Sequence, residues 1–204
     1  MLIRAQGILY LSNLEDPTSG FSPVAQDSWA AADFQTGGNV NGYIVNAVDL
    51  FMGSDIGNPS GLTISVYDEL NRNGDLGNYL GSLGGPSPTS EGIYQFVPTS
   101  TIQLNPYTDY LLVVTSSTPS STGTYSWERA DSTTYSTAIW PDGYGSDVSA
   151  NGSTWTPGGL PFEFAVYATA VPEPSVVGMI LLGAGVFVCH KRMKRGRSRN
   201  GEAF

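Results

Sequence analysis

Along residues 21–170 the apolar positions recur every second residue in short bursts. Val48, Leu50 and Met52 alternate with polar or outward positions, as do Leu62, Ile64 and Val66, and then Phe162, Phe164 and Val166. A strand puts successive side chains on opposite faces, so each burst predicts one buried face. The pattern predicts strands over 28–35, 43–52, 62–67, 79–83, 93–97, 109–116, 124–129 and 161–170. Between them lie Gly37-Gly38-Asn39, Gly57-Asn58-Pro59-Ser60-Gly61, Asn73-Gly74-Asp75 and Gly84-Gly85-Pro86. Gly and Asn tolerate positive φ and Pro fixes φ, so these segments read as turns. No apolar stripe at helical spacing precedes residue 175. The expected fold is all-β: an antiparallel, jelly-roll-like β-sandwich over residues 21–170, followed by one C-terminal transmembrane helix.

The pattern changes after Ala170. Val171-Pro172-Glu173-Pro174 is followed by an uncharged run, Ser175 to Cys189, and then by six basic residues among positions 191–199. As a helix the run spans ~22 Å, short of the ~30 Å hydrocarbon core. Lys191 and Arg192 extend its reach by snorkelling. Prolines 172 and 174 suit a helix start. Lys191, Arg192, Lys194, Arg195 and Arg197 after the run place the tail in the cytoplasm and the body outside. The expected layout is an N-terminal segment at 1–20, the sandwich at 21–170, the Pro-Glu-Pro motif at 171–174, a membrane helix at 175–190 and a basic tail at 191–204. A buried C-terminal helix is the competing reading, and the basic cluster argues against it.

Charge supports the split. Charged residues are 13% of the chain and aromatic residues 11%, against about 25% charged in an average soluble domain. Residues 1–170 hold 16 acids and three arginines, Arg4, Arg72 and Arg129, a net of −13. Such a body does not bind nucleic acid by phosphate neutralisation. The lone cysteine, Cys189, allows no internal disulfide, and the lone histidine, His190, sits beside it at the edge of the apolar run.

The order Val171-Pro172-Glu173-Pro174, apolar helix, Arg/Lys cluster resembles the PEP-CTERM sorting signal over residues 171–197. That resemblance implies a Gram-negative, exopolysaccharide-producing setting and an exosortase partner. It also implies a transient inner-membrane anchor with the domain in the periplasm, and later release to the cell surface or extracellular matrix. Proteins of this class carry an N-terminal secretion signal. Residues 1–20 include Arg4 but no apolar core of 7–15 residues. Either the start is misassigned and the signal lies upstream, or the chain is a fragment. The first is the stronger expectation, with Gln6 then close to the mature N-terminus. The body is similar to the choice-of-anchor R domain over about residues 28–168. The likeness is carried by Gly42–Leu50, Leu62–Tyr67, Ile102–Leu104, Tyr107–Val114 and Trp127. It implies an extracellular β-sandwich and brings no assigned activity.

Candidate sites are few. Glu69, Asn71, Asn73 and Asp75 offer oxygens at alternate positions with Gly74 sixth, in part like a Ca²⁺ loop. Glu in the first position, Arg72 inside the loop and Leu80 in the twelfth count against it. A plain hairpin loop is the stronger expectation, so no cofactor is expected and Ca²⁺ is the single candidate. Asp131, Asp142 and Asp147 read as solvated loop acids. Trp127 reads as core. Trp140 and Trp155, in the aromatic-rich stretch 124–156, are candidates for stacking on sugar rings. No nucleophile elbow or His/Cys cluster occurs. The expected function is non-enzymatic adhesion or exopolysaccharide and biofilm association. A secreted carbohydrate-active enzyme using a carboxylate pair and a permanently anchored inner-membrane protein are the alternatives.

Overall fold

A computed structural model of the chain describes residues 7–70, 75–133, 135–141 and 145–173. These residues form an all-β unit that closes at Val171. The Pro174 end of the sorting motif, the run 175–190 and the basic residues 191–197 lie outside the described residues. No helix among the described residues is long and apolar enough to cross a membrane.

The strands are β1 (Ile8–Ser12), β2 (Thr18–Val24), β3 (Trp29–Gln35), β4 (Tyr43–Ile56), β5 (Thr63–Glu69), β6 (Leu76–Gly84) and β7 (Gly92–Pro98). They continue with β8 (Gln103–Leu104), β9 (Asp109–Thr115), β10 (Thr124–Ala130), β11 (Thr137–Ala138), β12 (Ser146–Ser149), β13 (Thr156–Pro157) and β14 (Phe164–Ala170). All pairings are antiparallel. One half runs β11-β1-β14-β4-β7, with β8 and β10 also on β4 and β2 on β10; the other runs β6-β5-β9-β3-β12-β13. The β6–β7 pairing, Leu83 opposite Pro98, joins them. The sheet curls so that both halves face one core, where Phe34 of β3 meets Phe164 of β14 at 6.4 Å between ring centroids.

The expected inward faces hold. Val48, Leu50, Met52, Ile64, Val66, Phe162, Phe164 and Val166 are buried, with Leu62 partly so. On β4, however, the inward set is Tyr43 and Val45, then Val48, Leu50 and Met52. The alternation slips by one residue where Ala47 pairs Tyr167 but Val45 pairs Ala168. Asn46 is the extra residue of this bulge, and its carboxamide oxygen accepts from Thr169 Oγ1 at 2.8 Å.

Two expectations are corrected. Residues 8–12, read as an N-terminal segment outside the sandwich, form β1, with Leu11 fully buried. Backbone pairing to β14 and β11 places them in the sheet although their apolar run is short. Strands β2, β8, β11, β12 and β13 carry no clear alternation in the sequence, and β4 runs on to Ile56. At the other end, Val171 N–H donates to Gly42 O at 3.0 Å, and Asn39 Nδ2 donates to Val171 O at 3.0 Å. Gly42 holds φ +74°, and a Cβ there would strike the Leu104 carbonyl. The turn that receives the chain end therefore requires glycine.

Candidate functional site

The most unusual chemistry lies on the outer face of the second half. Ala30, Ala32 and Phe34 of β3 point into the main core, so Ala31 and Asp33 point the other way. There Ala31 joins Leu111 and Val113 of β9 in a second apolar cluster. Trp29, Tyr67, Leu76 and Trp155 pack against it, partly exposed. Tyr79, on β6, meets Tyr67 edge-to-face at 5.5 Å and is 57% exposed. Trp29 is fixed by donating Nε1–H to Gln26 O at 2.9 Å.

Into this face project Asp33 and Asp147, 7% and 5% exposed. Asp147 stands on β12 opposite Ala31. Its expected place in a solvated loop is therefore wrong: β12 is a strand, and its pairing with β3 buries the side chain. The two carboxyls hydrogen-bond to each other. Burial first, then the charges of Asp147 and Glu69, pushes Asp33 up to about 8, with Asp109 adding to the effect. Burial also raises Asp147, while the hydrogen bond from Asp33 opposes that rise. Asp33 thus holds the proton and Asp147 accepts it. No protein donor reaches Asp33 Oδ1. Carboxyls in direct contact leave no room for a glycosidic bond, whose flanking carboxyls stand ~5–9.5 Å apart. This pair does not have the spacing of a glycosidase.

A second buried acid lies on the outer face of the first half. Glu163 is fully buried, and neither carboxyl oxygen finds a hydrogen-bond partner. Burial, then the charges of Glu128, Asp16 and Asp131, raises it to about 7. Asn13 brackets it: Nδ2 donates to Phe162 O at 2.9 Å, and Oδ1 accepts from Phe164 N–H at 2.8 Å. Sequence reading gave no sign of Asn13, Asp33 or Glu163, because their roles depend on pairings across more than 100 residues.

The expected sites fare unevenly. Trp140 is 2% exposed, stacked on Tyr10 at 4.8 Å and edge-on to Tyr43 at 5.0 Å. It seals the core and presents no face to a sugar, which corrects its reading as a glycan contact. Trp127 is core as expected, stacked on Phe162 at 4.3 Å and donating Nε1–H to Glu163 O. Trp155 is partly exposed on the aromatic face. Glu69 and Asp75 stand at the base of the β5–β6 hairpin, closed by Leu70 N–H to Asp75 O at 3.1 Å. Asn71 and Asn73 lie outside the described residues. Among the described residues no group of three or more His, Cys, Asp or Glu side chains is arranged to hold a metal ion. A hollow of about 440 Å³ beside β12, lined by Asp27, Ser28, Val148, Ser149, Asn151 and Thr154 among others, is open to solvent. The chain matches no family model and no curated protein.

Proposed function

We propose that this chain is an exported, non-enzymatic surface or matrix protein. Its jelly-roll-like sandwich is delivered by a C-terminal sorting signal of the PEP-CTERM kind, and it then associates with exopolysaccharide. Residues 175–190 act as a transient inner-membrane helix and 191–204 as a cytoplasmic basic stop. An exosortase cuts near Val171-Pro172-Glu173-Pro174. The supporting observation is where the fold closes. Val171 is hydrogen-bonded to Gly42 and Asn39, and the chain then enters Pro172. Cleavage beyond Val171 leaves these bonds in place, and prolines disfavour the helical and ladder hydrogen bonding that would hide a cut site from a protease. Glycan contact falls to the aromatic face that includes Trp155, not to Trp140.

The test is intact mass and C-terminal peptide sequencing of the protein recovered from the native medium and cell surface. An end within residues 171–175 is expected. A chain still ending at Phe204 in the membrane fraction makes 171–174 a stalk and the protein a permanent membrane resident.

A further inference from the structure

We propose that the outer face of the second half, from Trp155 across to Tyr79, docks a cationic amino-sugar polymer, a glycan with free ammonium groups. The proposal rests on the glycan association put forward above and gives it a surface and a charge class. Two observations converge. The first is shape and ring chemistry. Trp29 and Trp155 lie toward the β12 side, Tyr67 and Tyr79 on β5 and β6, and Ala31, Leu111 and Val113 make an apolar floor between them. Strands β12, β3, β9, β5 and β6 set ~4.8 Å apart make this band ~19 Å wide, long enough for several linked rings. Sugar C–H faces stack on such rings, and an ammonium is attracted to the same faces by the ring quadrupole.

The second observation is charge. Asp147, Glu69 and Asp109 are the acidic neighbours of the protonated Asp33 on this face, and residues 1–170 around it carry a net of −13. A uronic-acid or sulfated polymer is repelled there, and an uncharged glycan can donate hydroxyls to the carboxylates but gains no charge attraction. Arg129, the only basic side chain among the described residues, is committed to Ser22, Ser146, Gly158 and Leu160, so no other described cation offsets this charge. An ammonium brings a positive charge and three N–H donors, which suit both the ring faces and the acidic side chains beside them.

The test uses the full chain in detergent micelles, titrated calorimetrically with three probes at low and physiological salt. The probes are a chitosan hexamer, its fully N-acetylated counterpart and an oligogalacturonate. The chitosan hexamer is expected to bind at least tenfold more tightly than either of the others. Trp155→Ala and Tyr79→Ala leave the net charge unchanged, and each is expected to weaken chitosan binding about tenfold. Tyr79 is mostly solvent-exposed, so its variant stays folded even if Trp155→Ala does not, and circular dichroism checks both. Chitosan binding that both folded variants retain in full means attraction to the whole acidic body, and the proposal falls. Binding to the N-acetylated or acidic probe in preference overturns the charge class and leaves glycan association standing. No binding to any of the three, with retention on the native exopolysaccharide, also overturns it. No binding to any glycan brings down both readings.

Discussion

Arg129 lies over the ring of Phe162, its guanidinium carbon 4.4 Å from the ring centroid, and still directs its N–H groups to four other residues. Nε and Nη2 donate to Ser22 Oγ at 3.0 and 2.8 Å. Nη1 donates at 2.8 Å to Ser146 Oγ, Gly158 O and Leu160 O. One side chain on β10 therefore ties β2, β12 and the 158–160 loop together, linking the two halves of the sheet. Burial pulls its pKa down, yet each recorded acceptor is a neutral oxygen. Lysine cannot reproduce the planar fork or its stacking. Arg129→Lys and Arg129→Met are both expected to lower unfolding stability by about 2–4 kcal/mol, because buried acceptors lose their donors. Urea unfolding followed by tryptophan fluorescence measures this, and a lysine variant as stable as wild type would sink the account.

The two tryptophans once equal in the sequence now separate sharply. Trp140 fills a pocket made by Tyr10, Phe34 and Tyr43, so Trp140→Ala leaves a cavity and is expected to cost about 3–5 kcal/mol. Trp155 caps only the outer cluster, and Trp155→Ala is expected to cost about 1–2 kcal/mol from lost partial burial. Thermal and urea midpoints of the two variants check the order. If Trp155→Ala proves the more damaging, the assignment of Trp140 to the core is wrong.

Truncation probes the seam at Val171. A chain ending at Val171 keeps all of β14 and the bonds of its last residue to Gly42 and Asn39. Its urea midpoint is expected to match that of the full chain. A chain ending at Tyr167 loses the pairing of Ala168, Thr169 and Ala170 with Val45, Ile44 and Tyr43, and the fully buried Ala168 with it. It is expected to unfold at distinctly lower urea. Equal midpoints for the two truncations would show that the last turn of β14 contributes nothing.

Local alternation made the core strands legible, since Val48-Asp49-Leu50-Phe51-Met52 and Phe162-Glu163-Phe164 carry their facing on their surface. What stayed illegible was set by distant partners. Tyr10 and Leu11 are buried only because β14 and β11 flank β1. Asp147 resembles any acid in a Gly/Ser-rich stretch until β12 is laid against β3. The aromatic face shows the same limit: Trp29, Tyr67 and Trp155 are 38 and 88 residues apart in sequence, and only the β3-β9-β5 order brings them to one cluster. The reading of the tail as a membrane segment with flanking charges is of another kind, since it rests on local sequence alone and needs no tertiary partner; residues 174–204 lie outside the described residues.

The buried acids set a pH dependence with a definite sign. Glu163 rises to about 7 and Asp33 to about 8, while both titrate near pH 4 in an unfolded chain. Between those limits the folded state binds protons that the unfolded state has released, so stability falls as pH rises through the window and levels off above about pH 8. The groups that oppose ionisation are Glu128, Asp16 and Asp131 around Glu163, and Asp147, Glu69 and Asp109 around Asp33. Asp27 acts in the other direction, its pKa lowered by hydrogen bonds from Ser120, but that loss comes only in acid below the window. The urea midpoint is therefore expected to be higher at pH 5 than at pH 8.5. Glu163→Gln and Asp33→Asn are each expected to flatten the slope and to raise the midpoint at pH 8.5, because an amide leaves no buried charge. A midpoint that climbs from pH 5 to pH 8.5, or a slope unchanged in both variants, would mean that neither carboxyl holds its proton in the folded protein.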